Sequence, residues 1–258
     1  MKKFLLIMTC HMLNLLSLTA QDKVQIIAHR GYWQSRGSAQ NSIAALEGAN
    51  RIRVYGSEFD VQMTVDNVLV VNHDGSIKGI NINRSPYSVL KDSTLTNGEK
   101  IPTLREYLEA AKHTDIRLIF ELKPSDTPER TREAVRLSVE MVREKKLMHR
   151  TEFITFGLDA GKELIRLVPD AAVYYLSGDL SPKELKNLGF AGLDYNYNVM
   201  RKHPEWFKQA KALGLAINVW TVNDLTLMRE MIDAGADFIT TDIPNDALIF
   251  VSSKLSAN

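Results

Sequence analysis

Short apolar runs alternate with helix-like patterns from one end of the chain to the other. That alternation predicts an α/β fold: a (β/α)8 TIM barrel with a short insertion after the second strand region. Two further observations support it. Nine apolar runs can be counted, and treating the run 68–72 as an extension paired beside the second strand leaves eight strand positions. Several runs also end on ionisable residues, as expected where a barrel gathers chemistry at the C-terminal ends of its strands. With 258 residues, 45% of them hydrophobic, the chain can bury a full core.

Taken in order, the first run is 24–28, ending at His29, and the second is 55–61, which carries Glu58 and Asp60. The run 68–72 follows and is closed by His73. Residues 75–100 are rich in Asn, Ser, Thr and Gly and read as a loop or small insertion over the site. The run 116–122 carries Glu121, and a helix is predicted over 128–148. There Asp126 or Thr127 can cap, Pro128 suits the first turn, and Val135, Val139 and Val142 share a face. The remaining strands are predicted at 152–156, 171–175, 190–195, 215–220 and 237–241. Three strand entries echo one another: Gly56-Ser57-Glu58-Phe59, Gly192-Leu193-Asp194-Tyr195 and Gly235-Ala236-Asp237-Phe238. Each glycine is expected to close a helix before a strand, a structural role.

Residues 1–20 have a basic start, an interrupted apolar stretch and Ala20 near the exit, the pattern of a signal peptide. The expectation is an exported protein, periplasmic or secreted, with residues 21–258 forming a single domain. The apolar stretch is too short for a membrane span, so no stable membrane insertion is expected. Cys10 is the sole cysteine and lies in this leader; its lipid modification is a competing reading. Formal charge is +1, and without Lys2 and Lys3 the remainder has 30 basic and 31 acidic residues, which argues against nucleic acid as a partner. Oligomeric state is left open by the sequence.

Carboxylates and imidazoles at the ends of apolar strands are costly to desolvate unless paired, hydrogen-bonded or bound to a cation. Glu58 and Asp60 are two apart on a strand, so both side chains point to one face, where they repel unless a cation or shared proton compensates. Glu121 would add a third oxygen. Three carboxylates suit one hard divalent cation, Ca²⁺ or Mg²⁺ with Mn²⁺ as a further option, better than Zn²⁺. Taken alone the Glu-x-Asp pair is a weak signal and reads first as surface or salt-bridged carboxylates, because charge pairs are ordinarily structural. His29 and His73 are candidates for proton transfer, since an unperturbed imidazole titrates near pH ~6.5; satisfied core histidines are the alternative. Arg30 and Lys123 would add donors to phosphoryl oxygens, or else pair with the nearby carboxylates. Phosphodiester cleavage needs this division of labour.

Several motifs carry a family resemblance. They include His29-Arg30-Gly31, Asn41-Ser42, Gly56 to Val61, Thr64 to Asp74, Ile101-Pro102-Thr103-Leu104 and Phe120-Glu121-Leu122-Lys123. Val219 to Asn223 and Thr240-Thr241-Asp242-Ile243-Pro244 complete the set. In this order the chain resembles the glycerophosphodiester phosphodiesterases. The resemblance implies hydrolysis of a small glycerophosphodiester to glycerol 3-phosphate and an alcohol. It also implies Glu58, Asp60 and Glu121 as metal ligands and His29 and His73 as the general acid/base pair. Trp220 resembles a residue at the pocket wall, with barrel packing as its alternative. The clearest departure is Ala39-Gln40-Asn41-Ser42, where the family more often reads Pro-Glu-Asn-Thr; Gln40 cannot carry a glutamate's charge. Two competing readings are a lipid-directed phosphodiesterase on the same barrel and a non-catalytic barrel that captures a phosphorylated ligand.

Overall fold

The computed structural model describes residues 24–255; the predicted leader and Cys10 lie outside the described residues. The elements run β1 (Gln25–Ala28), α1 (Ile43–Arg51), β2 (Gly56–Met63), β3 (Leu69–Val71), β4 (Ser76–Ile77), β5 (Ile80–Asn81), α2 (Tyr87–Leu90) and α3 (Leu104–Ala111). Next come β6 (Arg117–Leu122), α4 (Pro128–Glu144), β7 (Thr151–Thr155), α5 (Leu158–Leu167), β8 (Val173–Tyr175) and α6 (Pro182–Leu188). The last are β9 (Gly192–Asn196), α7 (Tyr197–Lys202), α8 (Glu205–Ala212), β10 (Ala216–Trp220), α9 (Leu225–Ala234), β11 (Phe238–Thr241) and α10 (Pro244–Leu255).

Eight parallel strands close into a barrel in the order β1-β2-β6-β7-β8-β9-β10-β11, with β11 pairing back onto β1. β3 lies antiparallel on the outer end of β2, pairing Val61 with Val71, so the run 68–72 is the extension that the strand count required. Alternation along each strand divides the apolar residues. Phe59, Val61, Leu118, Phe120, Phe153, Leu193 and Ile217 pack outward in the layer beneath the helices. Ile27, Ile119, Ile154, Tyr174 and Leu176 point into the barrel. An inward residue near a strand's C-terminal end therefore reaches the mouth, whereas its neighbours are committed to the core.

The helices begin where the sequence supplies caps. Thr127 accepts from the Arg130 N–H ahead of Pro128, and Thr103 and Ser181 each form a reciprocal capping box with a glutamate three residues on. α4 ends at Glu144, short of the predicted 148. Lys146 adopts a left-handed conformation (φ 60°), and the Leu147 N–H turns back to the Val142 carbonyl. The glycine echoes need a correction. Gly235 does cap α9 (φ 111°), but Gly56 and Gly192 are strand residues on a crowded barrel wall. A Cβ on Gly192 would lie 2.1 Å from the Ala216 carbonyl oxygen, and one on Gly56 would lie 3.1 Å from that of Arg117.

Residues 75–100 form the β4–β5 hairpin and α2 around a small core of their own. Val70, Ile77, Ile82, Leu90 and Ile101 are buried together there. The segment was expected over the site, but none of its residues lines the pocket at the mouth; His73, at its root, does. Its apolar side chains pack on the β3 side of the barrel, against Val70.

Candidate active site

A pocket with about 460 Å³ of empty space opens at the C-terminal ends of the strands. His29, Arg30, Glu58, His73, Glu121, Lys123 and Trp220 all line it, so seven of the eight residues singled out in the sequence meet at one place. Asp60, the eighth, sits behind them with 1% exposure, in contact with Lys123.

β2 projects Glu58 and Asp60 to the interior, and β6, paired with it in the register Asp60–Glu121, brings the third carboxylate alongside. One oxygen from each of the three lies within 4.8 Å of the other two. Lys123, two residues beyond Glu121, puts its ammonium 2.8 Å from Asp60 Oδ1 and 2.5 Å from Glu121 Oε1. Asn41, held at φ 63° before α1, donates to Asp60 Oδ2 at 2.8 Å and accepts from the Asp60 N–H at 3.0 Å. Burial opposes ionisation of Asp60, but Lys123 and the Asn41 amide outweigh it and hold the carboxyl below its ordinary range. Glu58 goes the other way, pushed well up by burial and then by the charges of Asp60 and Glu121. Burial, followed by Asp60, pushes Glu121 up to about 7.

One ammonium thus compensates a trio of buried carboxyls only in part. Glu58 Oε1 is buried without a hydrogen-bond partner, while Glu58 Oε2 accepts from the Arg30 N–H at 2.7 Å. An all-oxygen donor set with an unsatisfied buried oxygen fits a hard divalent cation.

The imidazoles flank the trio. His29 follows β1, and its Nδ1 lies 2.8 Å from Asp242 Oδ1, just past β11. Asp242 is itself fixed: the Trp33 indole donates to Oδ1 at 3.0 Å and the Asn223 amide to Oδ2 at 2.6 Å. Burial works against the Asp242 charge, but the His29, Trp33 and Asn223 contacts prevail and lower its pKa to about 2. His73, which lines the same pocket, has its Nδ1 2.8 Å from Asp74 Oδ1. Desolvation holds the His73 pKa below the ordinary imidazole value, although Asp60 and Asp74 pull it upward. Its loop is gripped by Gln62, whose amide donates to the carbonyls of Asn72, His73 and Asp74 at 2.9, 3.1 and 2.5 Å.

Arg30 takes a left-handed backbone (φ 55°) and donates from Nη1 to Gln40 Oε1 at 2.7 Å; its Nε, 3.8 Å from Asp60 Oδ2, makes no hydrogen bond. Gln40 therefore anchors the guanidinium. Trp220 is tied by Nε1 to the Asp194 carbonyl at 2.8 Å and meets Phe156 edge-on with ring centres 5.8 Å apart, forming an aromatic wall.

Five residues with a place in this architecture carried no role in the sequence reading: Asn41, Gln62, Phe156, Asp194 and Asp242. For two of them a signal was present. Asp242 ends the apolar run 237–241 just as His29 ends the first, and Gln62 continues the alternation of Glu58 and Asp60.

A (β/α)8 barrel thus gathers two imidazoles, two cationic side chains and a carboxylate trio at the mouth formed by its strand ends. The Glycerophosphoryl diester phosphodiesterase family model matches residues 29–246, and the chain belongs to that family. It is 58% identical to a glycerophosphodiester phosphodiesterase from Parabacteroides distasonis of known crystal structure, with a TM-score of 0.89 over 91% of this chain and 99% of that one. An Oleispira antarctica phosphodiesterase, solved in complex with the product sn-glycerol-3-phosphate, is 25% identical, with a TM-score of 0.77 over 88% of this chain and 96% of that one. The glycerophosphodiester phosphodiesterase of Caldanaerobacter subterraneus is 27% identical over 248 residues, covering 89% of this chain and 98% of its own.

Proposed function

We propose that this enzyme hydrolyses soluble glycerophosphodiesters to glycerol 3-phosphate and an alcohol. In this reading Glu58, Asp60 and Glu121 hold one divalent cation, and His29 and His73 are the acid/base pair. The observation that carries it is the convergence of both imidazoles on one pocket with three carboxylate oxygens lying within 4.8 Å of one another. The sn-glycerol-3-phosphate bound by the Oleispira antarctica relative supports the substrate class. A bound cation would offset charge on the phosphoryl oxygens and favour ionisation of a hydroxyl beside it.

The chain's own groups supply the rest. His73, kept neutral by desolvation, takes the proton of the glycerol hydroxyl adjacent to the ester, whose oxygen then attacks phosphorus. His29 delivers a proton to the departing alcohol oxygen; Asp242, on Nδ1, fixes the tautomer and leaves Nε2 for the substrate. Water then opens the cyclic phosphate with the two roles exchanged. Arg30 Nε and Lys123 Nζ bind the phosphoryl oxygens. The basic, apolar leader of residues 1–20 supports assignment of the enzyme to the exported proteins, periplasmic or secreted. Among the described residues no helix is long and apolar enough to cross a membrane.

Following hydrolysis of glycerophosphocholine by phosphorus NMR tests the reading. Glycerol 3-phosphate as the phosphorylated product supports it, whereas phosphocholine would mean that the other ester bond breaks. Hydrolysis confined to micellar lysophospholipid would favour the lipid-directed reading. Saturable binding without product under any divalent cation would favour a non-catalytic barrel.

A further inference from the structure

Opposite the carboxylate trio, the pocket has a second polar feature that the reaction above leaves unused. Asp194 lies on the interior face of β9, is 2% exposed, and lines the pocket together with Ile154, Leu176 and Thr240. Its Oδ1 is buried without a hydrogen-bond partner. Its neighbours leave that one oxygen unmet: the Asn218 amide acts on the carboxyl but gives Oδ1 no hydrogen bond. Asn218, its register partner on β10, exchanges hydrogen bonds with Thr240 Oγ1 at 2.9 and 3.2 Å, and the Trp220 indole donates to the Asp194 backbone carbonyl. A buried carboxyl oxygen left without a partner beside a pocket costs folding free energy that an arriving donor would recover.

We propose that Asp194 is a specificity-determining residue that hydrogen-bonds the terminal hydroxyl of the substrate's glycerol, the hydroxyl that takes no part in the attack on phosphorus. This inference rests on the function proposed above. The phosphoryl group belongs with Arg30 and Lys123, the two cations that line the same pocket. A quaternary ammonium carries no N–H or O–H and cannot satisfy Oδ1. A primary hydroxyl is small enough for a floor built from Ile154, Leu176 and Thr240, and it both donates and accepts. Burial pushes the Asp194 carboxyl up to about 8, against the pull of the Asn218 amide, so near neutral pH it too offers a donor as well as an acceptor.

The test compares kcat/KM for glycerophosphocholine and for its 2-hydroxypropyl analogue, which keeps the attacking hydroxyl and lacks the terminal one. Wild type is expected to favour glycerophosphocholine by roughly tenfold or more. Asp194→Ala should bring the ratio close to one, and Asp194→Asn, whose amide donates and accepts, should preserve it. A structural role alone would lower both substrates together and leave the ratio intact in Asp194→Ala, which overturns the inference. A wild-type ratio near one overturns it whether or not the variants fold. Failure of wild type to turn over either diester overturns the proposed function, and this inference with it.

Discussion

His29 and Asp242 are 213 residues apart in sequence, yet His29 Nδ1 and Asp242 Oδ1 lie 2.8 Å apart at the seam where β11 closes onto β1. The parallel register pairs Ala28 with Thr241, so the residue after each strand emerges beside its counterpart. Barrel closure itself builds the dyad. Replacing Asp242 with Asn should lower kcat on the order of 10²-fold with little change in KM, because the ring loses its tautomer lock and the charge that offsets a bound proton. The depressed Asp242 pKa also predicts a stability signature. Its contribution is present above the ordinary carboxylate range and is lost as pH falls from about 4 toward about 2. Denaturation curves of wild type and Asp242→Asn should converge over that interval.

In the proposed mechanism His73 is expected to set the acidic limb of the pH profile. As the proposed base its neutral form accepts the proton, and its pKa lies below the ordinary ~6.5, so the acidic limb of kcat/KM should be centred below pH ~6.5. A limb centred above pH ~7 would contradict the assignment. His73→Ala and His29→Ala should each cut kcat by about 10²-fold or more with unchanged circular dichroism. Losses below about tenfold in both would remove them from the mechanism.

Glu58 should trade stability for cation affinity. Its carboxyl is pushed well up by burial and by Asp60 and Glu121, so ionisation at neutral pH opposes folding in chelator. Glu58→Gln is therefore expected to melt higher than wild type in chelator. In excess cation it should gain less than wild type and need more cation for half-maximal activity. An unchanged cation titration would rule out Glu58 as a ligand.

Gln62 holds the His73 loop by three carbonyls. Gln62→Leu should destabilise the fold by about 1–3 kcal/mol and lower kcat several-fold with KM nearly constant. Equal activity in the two proteins would mean that the loop keeps His73 in position unaided.

The strands were legible because each is a short apolar run bounded by polar residues, and the extra run 68–72 could be assigned to the edge by counting. Helix ends were less so: nothing in Arg143-Glu144-Lys145-Lys146 announces the left-handed turn at Lys146. The roles of Gly56 and Gly192 depend on the neighbouring strand, which local sequence does not contain. The pocket shows the same divide. Local patterning marks residues at strand ends, Asp242 among them, whereas the pairing of Asp242 with His29 and of Asn41 with Asp60 depends on contacts across 213 and 19 positions. The insertion is legible as a segment, but its own core around Ile82 and Leu90 depends on contacts with β3 that local composition does not reveal.

The most direct measurement is glycerol 3-phosphate release from glycerophosphocholine by the purified protein, first in chelator and then with Ca²⁺, Mg²⁺ or Mn²⁺ restored. The account predicts no release in chelator, recovery with a divalent cation, and no recovery in His29→Ala or His73→Ala. Undiminished release in chelator, or full cation-restored activity in both histidine variants, would contradict it.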